Sequence, residues 1–365
     1  MTFHEQDPER ITGIKRRHFL GLLAAGSLAL MAGACGERNG NFALLWRQFR
    51  RRFISADGRV LDTDNGAVNH SEGQGWGMLF AAHANDWATF DDVWAWTRAN
   101  LQVRDDNLFA WRYDSNGSPP VGDSNNACDG DIYIAWSLLE AGRRTGRAQL
   151  IAQADRVLAD LERRCVKQDG NDAFLLPGAV GFEQPEGLVL NPSYFVFPAF
   201  SVFEKHRRNG VWRSVFNTSS DLIARSRFGQ YGLPPDWLMV GGDGTLSPAP
   251  DRPPRFGWDA IRVPLFVSWT FGPKSELLKP THDYLATFKD APDIPAWIDL
   301  TNGDRAPYPL PPGGHELLAH VARKCRACNG ASWLPDRSAP ARLGEEGYYG
   351  SALRLLTALA GQYGS

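Results

Sequence analysis

Apolar residues return at spacings of three and four along nine segments of this chain: 72–85, 90–101, 131–143, 148–163, 194–205, 211–225, 259–270, 275–288 and 348–360. That period belongs to a helix with one buried face, and no long run alternates as a half-buried strand would. Polar loops rich in Gly and Pro join the segments, so the fold class reads as all-α. No Pro/Ser-rich linker interrupts residues 36–365, and the Pro-rich stretches 247–254 and 306–312 are short enough to be loops. Residues 35–365 therefore read as a single domain. About 330 residues shared among twelve helices would leave roughly 27 for each helix and its loop. That arithmetic accommodates a double ring of helices and equally an irregular bundle.

The first 34 residues look like an address. A polar stretch ends in Lys15-Arg16-Arg17-His18-Phe19-Leu20, and an apolar segment then runs to about Ala34. Paired Arg before x-Phe-Leu resembles a twin-arginine export signal. Leu20 to Ala34 is shorter than the ~20 residues that span a membrane. Ala32-Gly33-Ala34 supplies the small-x-small pattern of a cleavage site, which places the mature protein in the periplasm or outside the cell. Cys35 directly after it invites a second reading, a lipoprotein cleavage box with Ala where Leu is usual. Only in that case would the protein be anchored to a membrane. Of the other cysteines, Cys128, Cys165, Cys325 and Cys328, the last two have zinc-knuckle spacing, but no second pair or paired His completes a metal site. They read as a disulfide or as inert thiols.

The whole chain has a net charge of −2, and removing residues 1–34 takes away four basic and three acidic side chains, leaving about −3. Nothing here builds the concentrated basic surface that nucleic acid requires. The unusual number is 13 Trp against 9 Tyr. Most of these indoles are expected in the core, and the remainder suit the apolar faces of sugar rings.

Three segments carry chemistry. In Ser71-Glu72-Gly73-Gln74-Gly75-Trp76-Gly77-Met78, Ser71 is a candidate N-cap and Glu72 falls in the first helical turn. Three Gly in the next turns cost the helix about 0.8–1 kcal/mol each relative to Ala, so something must approach that backbone closely, another chain segment or a ligand. The plain alternative is that Glu72 only complements the helix dipole. In Asn125-Asn126-Ala127-Cys128-Asp129-Gly130-Asp131, Asp129 and Asp131 bracket a Gly after two Asn. Such acceptors suit calcium or sugar hydroxyls, and the EF-hand ligand pattern is incomplete, which favours the sugar. In Phe256-Gly257-Trp258-Asp259-Ala260-Ile261-Arg262-Val263-Pro264, Asp259 and Arg262 stand three apart at a helix start and can face the same way. They form either a local ion pair or a carboxylate base kept ionised by its Arg.

These segments, in this order, resemble glycoside hydrolase family 8, together with Leu108-Phe109-Ala110-Trp111-Arg112, Asn191-Pro192-Ser193-Tyr194-Phe195 and Tyr348-Tyr349-Gly350-Ser351-Ala352-Leu353. The resemblance covers roughly residues 42–362 and is strongest to bacterial endoglucanases of cellulose-producing systems. It implies an (α/α)6 barrel and endo-acting, inverting hydrolysis of β-1,4-glucosidic bonds without a metal or organic cofactor. It also implies a glucan substrate and cellulose synthesis or export machinery as partner. On that resemblance Glu72 matches the proton donor and Asp259 the base that activates water, with Arg262 beside it. Asp129, or in second place Asp131, matches the residue that contacts the sugar at the cleavage subsite. Trp111, Tyr194 and Trp76 match aromatic positions near the cleft, Trp76 in a slot where the family often has Tyr. An inverting pair needs about 6.5–9.5 Å between its carboxyls and a protonated acid, which an apolar wall or Asp129 would provide for Glu72. Xylan, mixed-linkage glucan and chitosan are the competing substrates within the family. Chitosan ranks last, because its hydrolases tend to lack the Asp matched by Asp259. A non-catalytic glycan-binding or scaffold protein is the competitor of another class, and it would be expected to lack the acid or the base.

Overall fold

The helical periodicity resolves into two kinds of helix, some buried all round and others on one face only. The computed structural model describes residues 41–363 apart from 289, 290, 292 and 325–345. Residues 1–34, which the sequence reads as an export signal, and Cys35, Cys325 and Cys328 lie outside the described residues. Within them run eleven α-helices: α1 (41–53), α2 (Ser71–His83), α3 (Trp87–Leu101), α4 (Cys128–Thr145), α5 (Ala148–Arg164), α6 (Phe197–Arg207), α7 (Val211–Arg225), α8 (Val263–Phe271), α9 (Lys279–Ala286), α10 (Pro312–Lys324) and α11 (Tyr348–Tyr363). Helices α2, α4, α6, α8, α10 and α11 touch one another in that order. The ring closes where Tyr349 of α11 meets Trp76 of α2, ring centroids 6.4 Å apart. Helices α3, α5, α7 and α9 pack outside it, on α2, α4, α6 and α10. Helix α1 seals the seam, Phe49 lying against both Phe80 and Tyr348. The architecture is an (α/α)6 barrel.

Burial follows from this arrangement. All but two residues of α2 are buried, and α4 is nearly as enclosed, whereas α5 and α7 bury one stripe and turn charged residues to solvent. The three Gly of α2 are explained by the neighbours of an inner helix. A Cβ on Gly75 would come 2.6 Å from Tyr133 Cβ, and one on Gly77 2.7 Å from Val60 Cγ2, while Gly73 faces the Tyr348 hydroxyl. On the opposing helix a Cβ on Gly130 would lie 2.7 Å from Glu72 N and collide with Ser71. What approaches the glycine-rich backbone is therefore protein.

Short β-pairs cap the barrel where inner helices begin. β1 (Asn69–His70) pairs with β2 (Arg112–Tyr113), and β3 (Val166–Asp169) with β4 (Asp172–Leu175). β5 (Glu183–Gln184), β6 (Gly187–Leu190), β7 (Leu238–Gly241) and β8 (Leu246–Pro248) form an antiparallel sheet in sequence order, with Leu188 opposite Val240. β9 (Arg255–Phe256) pairs with β10 (Ile298–Asp299).

The helix starts differ from the sequence expectation for identifiable reasons. Ser71 is not the cap of α2 but its first residue, and His70 precedes it with no side-chain cap. The β1–β2 pair replaces the cap, since Ser71 N donates to Trp111 O at 3.0 Å. The segment expected from 194 becomes a 3-10 turn (Pro192–Tyr194) followed by α6, and those expected from 259 and 275 also open as 3-10 turns. Pro264 and Pro280 then occupy first helical turns, where the missing N–H costs nothing. The stretch 247–254 is not all loop, because Pro248 ends an edge strand. Helices α1 and α10 went unassigned in the sequence. Cys128 and Cys165 are buried free thiols.

The tight α2–α4 crossing predicts that Gly130→Ala will destabilise the fold by about 2–3 kcal/mol through overpacking. The check is the urea midpoint at unchanged slope. A midpoint like that of the parent protein would show that the crossing has slack.

Candidate active site

A cleft of about 700 Å³ opens at this end of the barrel, lined by Asp62, Asp64, Glu72, Trp258, Asp259, Arg262 and Tyr349 among others. Glu72 stands in the first turn of α2, and Asp259 in the turn between β9 and α8. They are 187 residues apart in sequence, and Arg262 brings them together. Its Nη1 donates to Glu72 Oε1, and its Nη2 to Asp259 Oδ1 and Ser193 Oγ, both at 2.8 Å. Ser193 in turn donates to Asn191 Oδ1 at 2.7 Å. The guanidinium is buried and lies over Trp76, 5.7 Å from the ring centroid. Burial works against its charge, but Glu72, Tyr349 and Asp259 hold it firmly protonated.

The carboxyls around it differ in environment. Asp129, almost fully buried, sits within hydrogen-bond reach of Glu72 and accepts from Gly130 N at 2.8 Å. Burial and the charge of Glu72 push it well above the ordinary carboxyl range, which favours its protonated form. Asp259 is also raised, chiefly by burial, while Arg262 and Asn191 work in the opposite direction. The Tyr194 hydroxyl is pushed up by burial and then by Asp129, Asp259 and Glu72, which places it among all three carboxyls.

Of the other residues expected here, Trp111 is over a third exposed and stacks on His70, centroids 6.0 Å apart and rings nearly parallel. Its Nε1 donates to Asp123 Oδ2 at 2.9 Å, leaving one indole face free for a flat ligand. Two expectations are corrected. Trp76 is completely buried and supports Arg262 and Tyr349, so it offers no face to a sugar. Asp131 is equally buried and spends its oxygens on Phe109 N at 2.9 Å and Asn126 Nδ2 at 2.7 Å, bracing the second motif from inside. The sequence reading missed Asp62, Asp64 and His70. Asp62 faces His70 at 3.6 Å, and Asp64 accepts from Tyr349 N at 3.1 Å. It also missed Trp258 and Tyr349 as cleft walls and Asp236 behind Asp259. Trp258 and Tyr349 lay within quoted motifs, whereas Asp62, Asp64 and Asp236 gave no signal beyond being acidic loop residues. Among the described residues no three His, Cys, Asp or Glu side chains converge as a metal-ligand group.

The buried carboxyls predict a pH dependence. Burial pushes Asp131 up to about 8, and burial with the charge of Asp259 pushes Asp236 up to about 7. Each folded-state value lies above the unfolded one, so the folded chain holds more protons and stability falls as pH rises through that range. His83, pushed down to about 4 by burial, acts in the opposite sense, but only below its unfolded value of 6.5. The melting temperature should therefore decline between about pH 6.5 and 8, and Asp131→Asn should flatten the decline. A flat profile in the parent protein would contradict this placement of protons.

Comparison with known proteins gives a consistent picture. The model of "Glycosyl hydrolases family 8" matches residues 20–363. A "Probable endoglucanase" from Novacetimonas hansenii is 42% identical over 317 residues, covering 86% of this chain and 89% of the relative. An "Endoglucanase" from Cellulomonas uda is 37% identical, over 73% of this chain and 74% of that one. Among solved structures, the endo-beta-1,4-glucanase CMCax from Acetobacter xylinum superposes with a TM-score of 0.80 at 39% identity, over 88% of this chain and 98% of that one.

Proposed function

Because the chain belongs to glycosyl hydrolases family 8, we propose that its cleft cuts β-1,4-glucan internally with inversion, Glu72 serving as acid and Asp259 as base. The chain is an endo-β-1,4-glucanase. The observation that carries the assignment of roles is the single guanidinium joined to both carboxyls in one cleft. No hydrogen bond links the two carboxyls directly, and Arg262 lies between them. Inverting hydrolysis needs about 6.5–9.5 Å between its two carboxyls to admit a water between base and anomeric carbon.

Trp111 and Trp258 offer exposed rings for pyranose faces. A glucan chain seated between Glu72 and Asp259 displaces the Glu72–Arg262 contact, and the proton held by Asp129 returns to Glu72 along their shared hydrogen bond. Glu72 then protonates the departing oxygen while Asp259, oriented by Arg262, takes a proton from water attacking the opposite face. Asp129, ionised in that step, is left beside the ring where positive charge develops.

Glu72→Gln and Asp259→Asn should each lower kcat on carboxymethyl-cellulose by about 10²–10⁴-fold, the usual worth of a general acid or base. Early-time NMR of the parent enzyme should show the α-anomer as first product. Near-normal turnover by Glu72→Gln, or β-anomer first, would remove the reading. A panel with xylan, mixed-linkage glucan and chitosan separates the substrates.

We further infer export through the twin-arginine route and a role beside cellulose production, supported by Arg16-Arg17-His18-Phe19-Leu20 and by the motif resemblance. Replacing Arg16 and Arg17 by Lys should leave the enzyme in the cytoplasm on fractionation. An unchanged periplasmic yield would refute that route.

A further inference from the structure

Asp236 ends the run Pro234-Pro235-Asp236 that leads into β7. Its own N–H donates to Arg255 O at 2.6 Å, which fastens it beside β9. Its Oδ1 accepts three backbone N–H groups from one turn: Gly257 at 3.0 Å, Asp259 at 3.2 Å and Ala260 at 2.7 Å. A helix start leaves such donors without partners, and here one carboxyl oxygen from the loop before β7 gathers them. The fit is close, since a Cβ on Gly257 would stand 2.9 Å from Asp236 Oδ2 and 3.0 Å from Trp297 Cβ. No protein donor meets Oδ2 among the described residues, and Asp236 is only half-buried.

We propose that Asp236 is a positioning residue for Asp259: its Oδ1 fixes the turn that aims the base, and its second oxygen sets the local charge. The proposal rests on the reading of Asp259 as the base. The charged and titratable groups around Asp236 are Asp259, Arg262 through Asp259, Glu72 through Arg262, and Tyr349 on α11, whose hydroxyl feels Asp236. Arg255 turns its guanidinium to the Trp297 ring, 3.7 Å from its centroid. With Asp236 pushed up to about 7 by burial and by Asp259, mildly acidic conditions favour its neutral form. Above that point a second negative charge appears beside the base.

The test compares Asp236→Ala and Asp236→Asn on carboxymethyl-cellulose, with Asp259→Asn as control. Alanine orphans three N–H groups and frees the turn, so kcat should fall about 10²-fold, the cost of a misplacement near 1 Å, with KM within about threefold. Asparagine keeps a carbonyl acceptor and should rescue most of that loss at pH 5, while the kcat/KM profile loses its ionisation near 7. Full kcat in the Ala variant overturns the proposal, as does an Asn variant whose profile matches the parent's. If Asp236→Ala fails to fold, the Asn profile decides alone. An active Asp259→Asn would sink the reading of the base itself, whereas an active Asp236→Ala beside an inert Asp259→Asn sinks only the role of Asp236.

Discussion

One buried positive charge organises this end of the barrel. Taking a guanidinium out of water costs several kcal/mol unless partners surround it, and Arg262 is met by Glu72, Asp259, Ser193 and the face of Trp76. Those partners come from α2, the turn before α6 and the turn before α8. The charge therefore enforces a register among three parts of the ring that sequence separation alone would leave independent. It also explains why Trp76 lies buried. An indole beneath the guanidinium supplies a favourable face without competing for its donors, and Tyr349 completes the platform from α11.

The helices were legible because their signal is local and repeated. Segment 211–225 coincides with α7, and the glycine-rich run announced a close contact that α4 and Tyr348 fulfil. The short strands were not legible: each has only two to four residues, and β1–β2, β6–β7 and β9–β10 join partners more than forty positions apart. The same distance effect divides the site. Glu72, Asp129, Asp259 and Arg262 stand at helix starts, where a charged residue before an apolar run is visible. Asp236 stands in a loop, and its partners in the following turn could be found only in three dimensions. Asp131 misled for a related reason: beside Asp129 it reads as one more acceptor, yet a two-residue step on a helix turns its side chain away from the cleft toward Phe109 and Asn126.

The loops that carry the site owe their order to backbone donors and to a few side-chain acceptors. Asp236 gathers the turn holding Asp259, Asn191 and Ser193 brace the turn before α6, and Trp111 O receives the first N–H of α2. Asn191 caps its own turn, whereas Asp236 and Trp111 O close helix starts from elsewhere in the chain. Using a partner from elsewhere ties two loops together, so the placement of Glu72 and Asp259 inherits the rigidity of the ring.

This placement has a stability cost that follows from the chemistry. A cleft that holds a proton on one carboxyl and a charge on another must bury acids whose neighbours oppose ionisation. Asp129, Asp131 and Asp236 are all raised above the ordinary range, and each weakens the fold as pH climbs toward its own value. Asp131 touches no cleft group, yet it shares the penalty because it holds the segment that presents Asp129. The raised values thus extend one layer behind the carboxyls that line the cleft. The glycine-lined α2–α4 crossing brings Glu72 and Asp129 within hydrogen-bond reach, so the same contact that packs the inner ring also sets the spacing of these two carboxyls.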